Sequence, residues 1–427
     1  MVATDMPHTQ AVRETVHQQY ESLPYPARDP EEELDRLFQP TMCELSRVNA
    51  MLWGGRRTFG RTFRILDAGC GTGDATVFMA EQLRDTGARI TSLDLSGASL
   101  EIARRRLEKR GLDSMVDLVQ APIEDAPTLG LGQFDFISTS GVLHHLPSPE
   151  AGLRALRSML KPDGAIAVMV YAQYGREPVY LMQSLLRMVA PYEFGEERRL
   201  RVLKRALQAL PPENRGLRGL LDTPLFRSEI SRSDAGAYDL LLHSQDRAYT
   251  VPQIYQWLSD AGMRLLDWGV PRTYRPQTYW PGVDVSHLAE SDLAAAAELM
   301  HGRMAKHHFF AVPVEASPAP QFAADDSTAV PAWTAHQFEI PLGRALAEPG
   351  AQLSFSMGEE REIVVNGDAL NRRLLGAVDG ARSVGSILDE AWNAFPAQTP
   401  EQIRRRWVEL CEGMREIAAL VLYAPAA

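Results

Sequence analysis

The stretch Ile65-Leu66-Asp67-Ala68-Gly69-Cys70-Gly71-Thr72-Gly73-Asp74-Ala75-Thr76 restricts the fold more than any other part of the chain. A short apolar run ends in a carboxylate, passes three glycines at alternate positions and enters a helical pattern, which predicts a strand, a tight turn and a helix. Lacking Cβ atoms, Gly69, Gly71 and Gly73 can take backbone angles that other residues avoid and can bring the chain against a ligand at the strand's end. Such a turn also serves plain packing of a strand on a helix, so the following elements decide its meaning. Arg89-Ile90-Thr91-Ser92-Leu93-Asp94 reads as a second strand, ending in a carboxylate about 20 residues beyond the glycines, as one β-α-β unit requires. An acid there can accept hydrogen bonds from ribose hydroxyls.

Two ligands then compete, a nicotinamide dinucleotide and S-adenosylmethionine. A diphosphate seeks bare amides at a helix N-terminus free of negative charge. Here Asp67 precedes the glycines and Asp74 follows them, which suits a ligand carrying an ammonium and a sulfonium. The segment resembles motif I of class I S-adenosylmethionine-dependent methyltransferases of the type 11/12 kind, and Asp94 matches their ribose-binding acid.

The chain's 427 residues suffice for two domains. A formal net charge of -11 disfavours a broad nucleic-acid surface, which would draw on clustered Lys and Arg. Cys43, Cys70 and Cys411 show neither metal-ligand spacing nor a disulfide framework, and no metal site is expected. Met1 to Gln19 lacks the apolar centre of a signal peptide, and no run approaches the roughly 18 apolar residues that span a bilayer. The expectation is a cytoplasmic protein with neither nucleic-acid nor membrane partners.

Residues 1–60 form a lead-in, containing Tyr20-Glu21-Ser22-Leu23-Pro24-Tyr25-Pro26, whose prolines exclude a helix interior. It is either an ordered lead-in or a lid whose Tyr20 or Tyr25 covers the methionine end of the cofactor. Similar Tyr-x-x-x-Pro-Tyr-Pro segments precede the catalytic domain in some bacterial methyltransferases. After Asp94 an amphipathic helix carries Arg104, Arg105, Arg106 and Lys109, read as a solvated basic face. Val116 to Ala121 is a third strand. The acid that the family often places at its end is missing at Pro122, leaving Ile123, Glu124 or Asp125 to meet the adenine.

Phe134 to Ser140 is the fourth strand and runs into Gly141-Val142-Leu143-His144-His145-Leu146-Pro147, a string that resembles the family's motif IV. Ligands of open α/β sheets lie beyond the strands' carboxyl ends, so Ser140 to His145 should border the cofactor and the transferred methyl. Each histidine either ties the loop to the backbone or serves as general base toward the acceptor. Ser148-Pro149 starts a helix, Lys161-Pro162-Asp163-Gly164 stops it, and Ala165 to Tyr171 is a buried fifth strand. Residues 173–249 exceed an ordinary connection and read as a helical lid insertion. Asp239 and His243, four apart, share a face if helical and make an acid-imidazole pair or a structural one. Met263 to Trp268 and His307 to Val314 complete seven strands, while Tyr274, Tyr279 and Trp280 wall the acceptor pocket or pack a loop.

Residues 61–315 thus form a Rossmann-like seven-stranded α/β domain, residues 316–335 an Ala/Pro/Ser/Asp linker, and 336–427 a small α+β second domain. Its hairpin, helices through Ile417 and closing strand Val421 to Tyr423 are similar to winged-helix modules, including PqqD-like domains and the regulatory domains of some bacterial protein methyltransferases. The methyltransferase resemblance implies a cofactor site of Tyr20, Asp67, Gly69, Cys70, Gly71, Gly73, Asp94, Leu95, Ile123 and Ser140, with His144, His145 and His243 as base candidates. The acceptor is a small molecule held by the insertion, or a peptide or protein side chain presented through the second domain. A third reading is a non-catalytic S-adenosylmethionine-binding scaffold that forms a homodimer through that domain.

Overall fold

The computed structural model describes residues 6–319, 321–334, 351–356, 362–416 and 419–424. They fall into two compact units, one made of the residues up to Phe38, Arg61–Glu81 and Gly87–Glu315, the other of Gln39–Gly60, Gln82–Thr86 and the chain from Ala316 onward.

The first unit is built on a sheet of β1 (Arg64–Ala68), β2 (Arg89–Asp94), β3 (Val116–Gln120), β4 (Phe134–Ser140), β5 (Leu160–Ala172), β6 (Ala248–Tyr249), β7 (Met263–Trp268) and β8 (Lys306–Pro313). Their order is β3-β2-β1-β4-β5-β8-β7, with the two-residue β6 laid parallel on the end of β5. β8 runs antiparallel to both β5 and β7. The seven expected strands are present, and the unforeseen β6 makes eight. Runs such as Phe134–Ile137 and Ala165–Val168 are buried on both faces, as the inner strands of a helix-covered parallel sheet must be. The Lys161 to Gly164 turn lies inside β5, where the register with β4 shifts between Phe134 and Phe136, so the irregularity is a bulge within a long strand.

β1 pairs with β2 on one side and β4 on the other, so strand order reverses there. That reversal opens a crevice at the carboxyl ends of the strands, above the glycine turn. The 173–249 insertion contains five helices, Glu177–Val189, Gly195–Ala209, Arg215–Asp222, Pro224–Arg232 and Asp234–Leu242, packed on their own apolar core of Val179, Met182, Leu186, Leu203 and Phe226. Tyr274 stacks on Trp268 at 3.7 Å and bonds to His307 Nδ1, so it belongs to the core, while Trp280 is exposed.

In the second unit, β9 (Val330–Trp333) pairs antiparallel with β12 (Leu420–Tyr423), and β10 (Gln352–Ser356) with β11 (Glu362–Asn366). Three helices, Ala369–Gly376, Val384–Ala394 and Pro400–Glu416, join them around the fully buried Trp407. Ile417, expected to end the last helix, lies outside the described residues. Two boundaries differ from the sequence reading. The 316–335 segment is no free linker, because Ala324 and Ala329 are core residues, Trp407 Nε1 donates to the Ala324 carbonyl at 2.6 Å, and β9 lies within it. Residues 39–60, expected in the lead-in, also belong to this unit, where the amides of Ala319 and Ala424 donate to the carbonyls of Leu52 and Gly54.

Glu44, fully buried, caps the Leu45–Trp53 helix through the Ser46 amide at 3.4 Å, and its Oε2 has no partner. Burial pushes its carboxyl up to about 7. The folded unit keeps a proton there that the unfolded chain releases near 4.5, so the stabilisation is complete below 4.5 and is lost as pH rises through 7. The full excursion is roughly 3 kcal/mol. Denaturant titrations at pH 5 and pH 8 should show wild type losing about that much more stability than Glu44→Gln, and equal losses would refute the assignment.

Candidate functional site

Four amides of the glycine turn are already used by the protein. Gly69 and Cys70 donate to the Leu93 carbonyl at 2.7 and 3.1 Å, Gly73 to the Cys70 carbonyl at 2.9 Å, and Gly71 to Asp94 Oδ2 at 2.7 Å. A diphosphate would need those amides bare. Asp74 is a different matter from the sequence expectation. Its carboxylate pairs with Arg28 at 2.6 Å and with the buried Arg106 at 2.8 Å, so its charge is neutralised, and the spent amides carry the argument against a dinucleotide.

The glycines are required by close approach of the protein itself. At Gly71, with φ 52°, a Cβ would lie 2.5 Å from the Tyr25 carbonyl oxygen, and at Gly69, with φ 79°, it would lie 2.4 Å from the Val142 side chain. Gly73 packs against Ala103 in the same way. Asp67 is buried beneath the turn, accepts from Thr76 Oγ1 at 2.6 Å, and has its carboxyl raised to about 6 by burial. Cys70 is buried and its thiol is pushed up by the same cause.

Asp94 stands at the crevice mouth. Its oxygens accept the amides of Gly71 and Ser96 at 2.7 and 2.9 Å, and burial, opposed by those bonds, raises its carboxyl. Each oxygen retains a lone pair for a further donor. Leu95 follows, half-buried; Ile123 is buried at the end of β3; and Ser140 is exposed at the end of β4. Glu124 Oε2 is buried there without a hydrogen-bond partner, while its Oε1 pairs with Arg13 at 3.6 Å. The acceptors left at this edge are carboxylate oxygens, which suit hydroxyl and amine donors.

The basic face expected after β2 is largely consumed. Arg106 is 1% exposed and bonds to Glu33, to Asp74 and to the Thr72 carbonyl; Arg110 pairs with Glu33, and Arg105 and Lys109 pair with Glu31. With Thr72 Oγ1 donating to the Pro26 carbonyl at 2.7 Å, this network fastens residues 25–33 over the turn. Sequence reading missed it because helical spacing alone does not separate Arg106 from its neighbours.

Beyond β4 and β5 a second cluster forms. His144 and His145 are both buried, and His145 stacks on His243 at 3.8 Å with 21° between the rings. His243 is not on the helix with Asp239 but is its C-cap, in an extended conformation. The two meet through Tyr20, whose hydroxyl lies 2.8 Å from Asp239 Oδ1 and 3.0 Å from His243 Nε2. Tyr25 donates to Glu229 at 3.1 Å. Burial lowers the His144 and His243 imidazoles and raises Asp239. Both ring nitrogens of His144, packed on Tyr171 at 3.8 Å, lack partners.

Ligand atoms of His145, Asp239 and His243 lie within 4.8 Å of one another, close enough to chelate a cation. His243 is wrongly set for it. Its Nδ1 accepts the Gln245 amide at 3.0 Å, so Nε2 carries the hydrogen, whereas a metal-bound imidazole donates through its other nitrogen.

The chain is similar to known proteins in keeping with this geometry. Residues 66–166 match the methyltransferase domain family. An uncharacterized protein of Synechococcus sp. is 29% identical over 269 residues, 62% of this chain and 63% of its own. A ubiquinone biosynthesis O-methyltransferase of Escherichia coli is 29% identical over 165 residues, 37% of this chain and 64% of that enzyme. The chain therefore spans somewhat under two thirds of these relatives' length. Among solved structures, PKMT2 from Rickettsia typhi superposes with a TM-score of 0.62 and 13% identity, over 90% of this chain and 77% of that one. Its complex with AdoHcy gives 0.60 and 14% identity, over 91% and 76%. These two likenesses bear on the fold alone. The 66–166 segment is a class I methyltransferase domain, whose methyl donor is S-adenosylmethionine.

Gly71→Ala forces a side chain into a left-handed conformation against the Tyr25 carbonyl and should cost about 1–3 kcal/mol. Thermal unfolding with limited proteolysis will check it. A variant as stable as wild type, with residues 20–33 equally protected, would contradict the close approach.

Proposed function

We propose that the whole chain transfers a methyl group from S-adenosylmethionine to a small-molecule acceptor by in-line displacement. What supports the small acceptor is the meeting of His145, Asp239 and His243, all buried, with Tyr20, a cluster drawn from the insertion, the N-terminal helix and the end of β4. The protein's part is alignment of donor and acceptor, exclusion of water and removal of a proton. Asp94 holds the ribose, Glu124 the adenine edge, and the turn from Gly69 to Gly73 shapes the floor beneath the sulfonium. No helix among the described residues is long and apolar enough to cross a membrane.

A second reading makes the acceptor a peptide or protein side chain recognised by the second unit, taken as winged-helix-like. A groove of about 590 Å³ there, bordered by Asp368, Phe395, Gln402, Arg405 and Arg406, favours it. The Escherichia coli relative, named for O-methylation in ubiquinone biosynthesis, favours the small acceptor. A scaffold that binds the cofactor without turnover, as a homodimer, would leave the histidine cluster without a task.

Calorimetry should find micromolar binding of S-adenosylmethionine and none of NADH. Asp94→Ala should weaken binding by roughly 1.5–3 kcal/mol, the value of hydrogen bonds to a charged group. Absent binding, or preference for NADH, would defeat the proposal.

A further inference from the structure

One peptide group touches both stacked imidazoles. The Gln245 N–H donates to His243 Nδ1 at 3.0 Å, and the Gln245 carbonyl lies 2.7 Å from His145 Nδ1. An amide N–H can only donate, so His243 Nδ1 presents a lone pair and its Nε2 carries hydrogen. A carbonyl can only accept, so His145 Nδ1 carries hydrogen and its Nε2 presents the lone pair. We propose that the Gln245 peptide group is a positioning element that fixes His145 and His243 as opposite tautomers, leaving His145 Nε2 as the atom that accepts the methyl acceptor's proton.

The rest of the cluster agrees with that direction. His243 Nε2–H points at Tyr20 Oη, 3.0 Å away, which leaves the Tyr20 hydroxyl hydrogen for Asp239 Oδ1 at 2.8 Å. Hydrogens therefore run one way, from His243 through Tyr20 to the carboxylate, and every member of that chain is occupied. Among the described residues His145 Nε2 makes no hydrogen bond, and it is not sealed off as the nitrogens of His144 are. In the reaction the acceptor atom X of X–H bonds to the methyl carbon, and the carbon–sulfur bond breaks with its electron pair going to sulfur. The X–H proton passes to His145 Nε2. The imidazolium so formed has the Asp239 carboxylate close by, within the 4.8 Å span of the cluster. Such a lone pair serves acceptors that shed a proton, hydroxyls and protonated amines, and is idle toward a thioether or a tertiary amine.

This inference rests on the methyltransferase reading, and the experiment separates the two. Full-length protein labelled with 15N in its imidazole rings, with and without S-adenosylmethionine, gives long-range proton–nitrogen spectra in which the two neutral tautomers differ in signature. Assignment uses His145→Gln and His243→Gln. The expected spectrum at pH 8 has His145 protonated at Nδ1 and His243 at Nε2. Gln245→Ala, which keeps the peptide group, should leave both unchanged; Gln245→Pro, which deletes the N–H, should release His243 alone. If the proline variant does not fold, the wild-type spectrum still decides. Identical tautomers, or hydrogen on His145 Nε2, would overturn the proposal even where calorimetry on the same sample shows the cofactor bound. Absent cofactor binding would overturn the methyltransferase reading whatever the tautomers.

Discussion

The first unit's site depends on a buried guanidinium. Arg106, 1% exposed, would be costly to bury alone, and the protein satisfies it with Glu33, Asp74 and the Thr72 carbonyl. Two of those partners belong to the glycine turn and its helix, and the third to the N-terminal segment. Charge compensation in the interior thus becomes a positional constraint, because neither the turn nor residues 25–33 can move without exposing an unpaired charge. Arg106 is the buried member of the network that ties the turn to the segment over it, beside the Arg28–Asp74 pair and the Thr72 bond to Pro26.

A consequence concerns which ligand the turn can accept. Phosphate-binding turns keep their amides free, and the cost of leaving them free is met when the ligand arrives. Here Leu93, Cys70 and Asp94 take four of them in advance. What remains at the strand mouth is acceptor chemistry, the Asp94 lone pairs and the orphan Glu124 Oε2, which suits ribose hydroxyls, an amine and a positive sulfur more than a diphosphate.

The sheet was legible in the sequence because its strands are either continuous apolar runs or end in chemically distinctive residues, so Asp67, Asp94 and Ser140 fall where the spacing predicts. Burial of charge was not. Arg104 and Arg106 are alike in sequence, yet one lies exposed among Glu101 and Glu108 while the other sits in the interior, a distinction made by Glu33 across more than a helix of intervening chain. Likewise the alanines of 316–335 read as solvent-tolerant, but alanine is small enough to fill gaps around Trp407, and composition cannot say that a tryptophan elsewhere needs them. The site was legible in part: the three histidines were singled out, whereas Tyr20's place between Asp239 and His243 rests on a separation of more than two hundred residues that no local pattern records.

That long-range contact also makes the N-terminal helix part of the cluster's hydrogen bonding and not only of its packing. Asp239 is buried and makes no ion pair with a Lys or Arg among the described residues, and a carboxylate in that setting requires a donor. Tyr20 supplies it, and its oxygen in turn is the acceptor that His243 needs once Gln245 has claimed Nδ1. Removing the phenol would therefore leave two buried polar groups unsatisfied at once. Tyr20 reaches the cluster from outside the sheet, on the helix Met6–Ser22 ahead of β1. The residues that follow that helix are in turn fastened by Arg106 through Glu33.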